Sequence, residues 1–214
     1  MRIGVFDSGI GGEAVAANLR HDFPHADIMT VSDREHVPYG SRPPEEIIRL
    51  TEATISPLLE SGCDVIIIAC HTATAVAIDY LRNKHPTQPF VGLEPMLKPA
   101  AALSKTKTIA VFATPATLSS PLYAEAKRLH AAGVRVIEPD CSDWARLIEA
   151  NELNRDHIEE AVERCIKLDV DVIVLGCTHY HWIKHEIIET AGHHVVVLEP
   201  SEAIARRVRD LLRL

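Results

Sequence analysis

The sequence predicts an α/β fold: two pseudo-symmetric parallel-sheet domains that arose by internal duplication, with the site in the cleft between them. Two runs carry this first. Asp64-Val65-Ile66-Ile67-Ile68-Ala69-Cys70 and Asp171-Val172-Ile173-Val174-Leu175-Gly176-Cys177 are short, apolar and β-branched. That is the pattern of a strand covered on both faces of a parallel sheet. Both end in a thiol, and the thiols are 107 residues apart. Ile3-Gly4-Val5-Phe6-Asp7-Ser8 returns as Ile109-Ala110-Val111-Phe112-Ala113-Thr114 at an offset of 106, and Val91-Gly92-Leu93-Glu94-Pro95 returns as Val196-Val197-Leu198-Glu199-Pro200 at 105. Three matches in one order at nearly one spacing indicate a repeat the size of a small domain, too long for a solenoid. Facing halves would set the two strand-end thiols on opposite walls of one cleft.

In chain order, residues 2–6 read as a first buried strand, followed by the glycine-rich turn Asp7-Ser8-Gly9-Ile10-Gly11-Gly12. Its G-x-G-G spacing is not the dinucleotide fingerprint, although backbone amides in such turns can approach an anion. Val15, Leu19 and Phe23, four residues apart, predict a helix stopped by Pro24. Residues 26–31 read as a short second strand. The stretch Ser32 to Pro44 is polar, holds three prolines and by itself reads as a surface connection.

Glu45 to Gly62 is amphipathic, with Ile47, Thr51, Ile55 and Leu58 on one stripe and Pro57 as a kink site. Its counterpart, Asp156 to Leu168, places Ile158, Ala161, Val162, Cys165 and Ile166 at helical spacing, which makes Cys165 a core residue. Each helix feeds an Asp-Val strand, giving a right-handed strand–helix–strand crossover in each half. Pro86, Pro89, Pro95 and Pro99 gather between the halves. The first domain is therefore read as residues 1–95 plus 205–214, and the second as 96–204. Ser201 to Leu214 reads as one helix with Arg206, Arg207 and Arg209 on a solvated face.

Composition narrows the function classes. A net charge of −8 argues against a general nucleic-acid binder, which needs clustered cations to neutralise phosphates. No apolar run approaches the roughly 20 residues that span a bilayer. The strand pattern begins directly after Met1, which leaves no room for a signal peptide. Five cysteines, an odd number, are expected to be reduced thiols in the cytoplasm.

Ligands bind at the carboxyl ends of strands in open parallel sheets, where Cys70 and Cys177 stand. A free thiol has a pKa of ~8.5 and needs help to act as a base. His71 adjoins Cys70, His179 lies two residues after Cys177, and Asp7 closes the first strand of the Cys70 half. Inverting an amino-acid stereocentre removes a proton from one face and returns one to the other, which takes two acid/base groups on opposite sides. A duplicated pair of identical residues suits that task, since both enantiomers must be processed.

The residues Asp7-Ser8-Gly9-Ile10-Gly11-Gly12, Val37-Pro38-Tyr39-Gly40, Ala69-Cys70-His71-Thr72-Ala73, Thr114-Pro115-Ala116-Thr117 and Gly176-Cys177-Thr178-His179-Tyr180 resemble the cofactor-independent glutamate racemases of the aspartate/glutamate racemase superfamily. The resemblance spans most of the chain. It implies racemisation of an amino acid by two cysteines, with no pyridoxal phosphate, no metal and no other cofactor, and a supply of D-glutamate for cell-wall synthesis. It implies Cys70 and Cys177 as the two bases, Asp7 assisting the first, and His179 with Glu149 assisting the second. Ser8, Pro38, Tyr39 and Gly40 would hold the side-chain carboxylate of the substrate. His71, Thr72, Thr114, Thr117 and Thr178 would contact the rest of it.

Three departures accompany the match. His71 stands where the family has Asn, His181 stands where Pro is usual, and the chain stops at Leu214 where other members continue. The expected partner is a small amino-acid substrate. Neither nucleic acid nor membrane is expected, and a homodimer would be one way to cover an open sheet edge. The alternatives are a racemase or isomerase of another substrate, a decarboxylase, or a binding protein that has kept the cleft. A zinc site built from the thiols and histidines lacks CxxC or HExxH spacing, and His181 with His185 reads as an exposed helix face.

Overall fold

In the computed structural model, which describes residues 1–213, the chain divides into two units, Met1–Glu94 with Pro200–Leu214, and Pro95–Glu199. The first opens with β1 (Arg2–Asp7), α1 (Gly12–Asp22) and β2 (Asp27–Ser32). A 3-10 turn at Tyr39–Ser41 leads into α2 (Pro44–Glu60), β3 (Val65–Ile68), α3 (His71–Lys84) and β4 (Phe90–Gly92). The second unit contains α4 (Leu97–Leu103), β5 (Thr108–Ala113), α5 (Pro115–Leu118), α6 (Pro121–His130), β6 (Arg135–Ile137), α7 (Trp144–Glu149), α8 (Arg155–Ile166) and β7 (Val172–Gly176). It ends with a 3-10 segment at Thr178–Ile183, α9 (Lys184–Ala191) and β8 (Val196–Leu198), after which α10 (Ser201–Leu212) rejoins the first unit. The predicted last helix is assigned through Leu212; its proposed final residue, Leu214, lies outside the described residues. All of α10 packs with the first unit, so the chain returns at Pro200 rather than at residue 205.

Each unit is built on one four-stranded parallel sheet, ordered β2-β1-β3-β4 in the first and β6-β5-β7-β8 in the second. The orders are equivalent, and so are the registers. Phe6 pairs with Ile68 in one sheet, and Phe112 pairs with Leu175 in the other. The repeated sequence thus folds into a repeated topology.

The central strands show why their sequences are continuous apolar runs. Ile66 and Ile68 face one core cluster of the first unit while Val65 and Ile67 face the other. In the second unit, Ile173 and Leu175 alternate in the same way with Val172 and Val174. Alternation sends successive side chains to opposite faces, and helices cover both. Burying one such side chain contributes about 1.5–3 kcal/mol. The stripe Ile47, Thr51, Ile55 and Leu58 is buried along α2, which runs through Pro57. Gly62, at φ 65°, adopts the left-handed conformation just after this helix.

The repeated Asp-Val starts anchor each central strand. Asp64 accepts the Arg2 amide at 2.7 Å. Asp171 accepts Ser104 Oγ at 2.6 Å and the amides of Lys105 and Thr106 at 2.6 and 3.0 Å. Desolvation works against ionised Asp171, but its four hydrogen-bond contributions outweigh it and hold the carboxyl below its ordinary pKa. Among the described residues, no helix is long and apolar enough to cross a membrane.

Candidate active site

In the first unit, β1 and β3 run side by side, so Asp7 at the end of β1 comes level with the Ala69-Cys70 exit of β3. Asp7 is buried and accepts the Gly9 amide at 2.8 Å through Oδ2. The turn folds back so tightly that a Cβ added at Gly12 would lie 2.5 Å from Asp7 Cβ. Glycine is needed there for close approach.

Cys70 is the N-cap of α3, and its sulfur accepts the Ala73 amide at 3.4 Å. Ser8 Oγ makes a second hydrogen bond with the same sulfur at 3.3 Å. A helix N-terminus presents amide donors and the positive end of the backbone dipole, a setting that favours a thiolate. His71 and Thr72, the first residues of α3, are buried next to this thiol. Thr74, one turn into α3, donates to Ile68 O at 3.1 Å and accepts the Leu93 amide at 2.9 Å, which ties the strand ends to the helix.

The polar stretch after β2 is not a loose connection. The Asp33 amide donates to Asp7 O at 3.2 Å, and the Asp33 carboxylate accepts the Tyr39 hydroxyl at 2.8 Å and meets His36 Nδ1 at 2.8 Å. Tyr39 is only 1% exposed. Burial first, then its bond to Asp33, pushes the phenol far above its ordinary pKa, so it remains a protonated donor. Pro38 follows a cis peptide bond, and Gly40 lies in the 3-10 turn behind Tyr39.

In the second unit, Cys177 follows β7 and caps the 3-10 segment, but with no side-chain capping bond. Its partner is instead His179, whose Nδ1 lies 3.7 Å from the sulfur. The other ring nitrogen, Nε2, lies 2.6 Å from Glu149 Oε1. A carboxylate oxygen accepts from Nε2–H, which places the lone pair of the neutral ring on Nδ1, facing the thiol. Cys177, His179 and Glu149 are therefore linked in a relay of contacts, thiol to Nδ1 and Nε2 to carboxylate.

Aromatic packing positions this relay. Trp144 begins α7, whose last residue is Glu149, and lies edge-on to Tyr180 at 5.7 Å between ring centres. Phe112 packs on the same indole at 5.5 Å. The Tyr180 hydroxyl donates to Cys141 O at 3.1 Å, and the Cys141 thiol donates to Ala113 O at 3.3 Å. Burial pushes the Cys141 thiol up to about 12, which leaves it a neutral structural donor. A Cβ added at Gly176 would lie 2.9 Å from Ala113 Cβ, so the residue before the thiol must be small.

Thr114 caps α5, accepting the Thr117 amide at 3.3 Å and sharing a 3.1 Å hydroxyl contact with Thr117; Thr117 and Thr178 are buried. His181 departs from the exposed helix face expected of it. Its ring is buried and lies 3.6 Å from Glu199, which also meets Lys184 at 3.5 Å, whereas His185 is exposed. Desolvation holds the His181 ring below its ordinary pKa, against the opposing pull of Glu199. Cys165 is core, as expected.

The structure gathers Asp7, Ser8, Cys70, His71, Thr72, Tyr39 and Gly40 in the first unit, and Glu149, Cys177, Thr178 and His179, with Thr114 and Thr117, in the second. Asp33, Thr74, Trp144 and Cys141 were missed as site supports. Only Asp33 carried a sequence signal, the even three-residue spacing Asp33, His36, Tyr39.

Comparison with known proteins places this arrangement. Residues 13–208 match the family model described as Asp/Glu/Hydantoin racemase. The glutamate racemase of Herpetosiphon aurantiacus is 42% identical over 214 residues, which cover 98% of this chain and 84% of that relative. The enzyme of Methylococcus capsulatus is 38% identical, covering 98% and 79%. Among solved structures, Escherichia coli glutamate racemase in complex with L-glutamate and an activator superposes with a TM-score of 0.90 at 27% identity, over 99% of this chain and 82% of that one. Aquifex pyrophilus glutamate racemase gives 0.79 at 34% identity, over 98% and 83%. The aspartate racemase of Picrophilus torridus, 20% identical, shares the fold at 0.60.

Proposed function

The chain belongs to the Asp/Glu/Hydantoin racemase family and is an amino-acid racemase, and on that premise we propose that its substrate is glutamate and that Cys70 and Cys177 act on opposite faces of the α-carbon. The observation that carries this reading is that each strand-end thiol has its own proton-handling surroundings: an amide donor and the Ser8 hydroxyl at Cys70, the His179–Glu149 pair at Cys177. In one direction, the Cys70 thiolate takes the α-proton and becomes a thiol. The electron pair delocalises into the substrate carboxyl, and the Cys177 thiol delivers its proton to the other face, leaving a thiolate. The reverse reaction exchanges these roles; for a second turnover in the same direction Cys70 returns its proton to solvent and Cys177 takes one up, with Asp7 and His179 as the groups that assist each sulfur.

Ser8, Pro38, Tyr39 and Gly40 belong to the end of the site that receives the side-chain carboxylate, while Thr72, Thr114, Thr117 and Thr178 belong to the α-carboxylate and ammonium end. The scheme uses neither pyridoxal phosphate nor metal. The five cysteines, all buried and none in a disulfide, suit a reducing compartment, and we place the protein in the cytoplasm.

The test is a panel of single enantiomers incubated with the protein and resolved by chiral chromatography. Glutamate is expected to racemise, with activity surviving a carbonyl-trapping reagent such as hydroxylamine. Turnover of another acid with glutamate unchanged would overturn the substrate assignment. His71→Asn is expected to shift preference further towards glutamate, and an unaltered profile across the panel would remove His71 from the specificity argument.

A further inference from the structure

We propose that Asp33 is a positioning residue for substrate binding: its carboxylate fastens the 36–41 segment through Tyr39 and His36 so that the Tyr39–Gly40 turn meets the substrate's side-chain carboxylate. The inference rests on the glutamate reading for what the turn binds, but not for how it is held.

The geometry is convergent. One carboxylate takes the Tyr39 hydroxyl at 2.8 Å on Oδ2 and His36 Nδ1 at 2.8 Å on Oδ1 and 3.1 Å on Oδ2. Asp33 is itself buried, and its amide is fixed to Asp7 O, so the anchor is joined to the strand end that carries Asp7 and Ser8. The far side of the segment is closed by Arg42, which donates to His36 O at 2.6 Å and pairs with Glu46 of α2 at 2.7 Å. The 3-10 turn is short and holds little of its own hydrogen bonding, so its shape depends on these side-chain ties.

One consequence separates this role from direct contact. The Tyr39 hydroxyl has a single proton, and Asp33 receives it. The phenol therefore serves the site by fixing its own backbone and that of Gly40, rather than by donating to the ligand. Tyr39 and His36 both turn onto the carboxylate, and the turn's backbone amides remain the groups that a ligand carboxylate would meet.

The experiment compares wild type with Asp33→Ala, Asp33→Asn, Tyr39→Phe and the Asp33→Ala/Tyr39→Phe pair. It uses steady-state kinetics with glutamate and amide hydrogen exchange of residues 36–42. Asp33→Ala is expected to raise KM at least tenfold with a smaller change in kcat and to speed exchange in this segment while β1 and β3 stay protected. Asp33→Asn keeps an acceptor for Tyr39 and should recover much of both effects. The double variant should be no worse than Asp33→Ala. Additive losses, or unchanged exchange in the Asp33→Ala protein, would overturn the anchoring role, as would a KM unmoved despite loosened exchange. Should wild type fail to racemise glutamate, the substrate reading falls, while exchange still decides whether Asp33 holds the turn.

Discussion

The two strand-end thiols occupy equivalent places in equivalent sheets, yet they are supported by different chemistry. Cys70 sits at the head of a fourteen-residue helix and receives an amide donor and a hydroxyl. Cys177 heads a six-residue 3-10 segment without a capping bond and leans on a histidine–carboxylate pair. Equivalent topology supplies the positions, while the surroundings of each sulfur differ: an amide and a hydroxyl at Cys70, a histidine–carboxylate pair at Cys177. The enantiomers have equal free energy, so changes in kcat/KM must match in both directions whichever side is damaged.

The largest break in this comparison comes from removing sulfur. Cys70→Ser and Cys177→Ser are each expected to cut racemisation by at least ~10²–10⁴-fold, the range for one positioned acid/base group, measured by circular dichroism of the substrate. Substantial turnover in either variant would remove the two-base scheme. Next comes Glu149→Gln, which takes the charge from a hydrogen bond worth about 1.5–3 kcal/mol and should slow kcat/KM by ~10–100-fold in both directions. A change under twofold would show that His179 works without its carboxylate. Ser8→Ala, on the other side, removes one hydrogen bond to sulfur but leaves the Ala73 amide in place, so the loss should be near or below ~10-fold. If Ser8→Ala exceeds Glu149→Gln, the ranking of the two supports is inverted.

A smaller effect concerns the strand starts. Asp171 accepts three donors and Asp64 one backbone amide. Asp171→Ala should therefore destabilise its unit by ~1–3 kcal/mol, and Asp64→Ala by less, in urea titrations. Asp171 also has a lowered carboxyl pKa when folded. Its contribution is fully present above the unfolded value of ~3.9 and fades as pH falls through the lower folded value. The stability gap between wild type and Asp171→Ala should thus close below about pH 4; a gap constant down to pH 2 would contradict this.

Much of the fold was legible because burial on both sheet faces demands continuous apolar strands, and Val65–Ile68 and Val172–Gly176 meet that demand openly. The thiols were legible because they end those strands. What stayed hidden depends on side chains meeting across distance in the chain. Glu149, which reaches His179 over 30 residues, was identified only through the family resemblance, since its own sequence signal is no more than a six-residue helix. Polar composition made Ser32–Pro44 look like a surface connection, whereas Asp33 turns its polar groups inward on one carboxylate. His181 had helical spacing with His185 that suggested exposure, but the 3-10 segment rotates it onto Glu199. Periodicity reports which face is apolar, and it cannot report which polar groups pair.

The central claim, that one thiol serves each face, is tested most directly by running L-glutamate in deuterated water and stopping early. The account predicts D-glutamate carrying one deuterium at the α-carbon while the recovered L-glutamate stays protiated, because the proton removed by one sulfur is not the one delivered by the other. Product that keeps the substrate's own proton, or recovered L-glutamate labelled as fast as product forms, would mean a single base working on both faces.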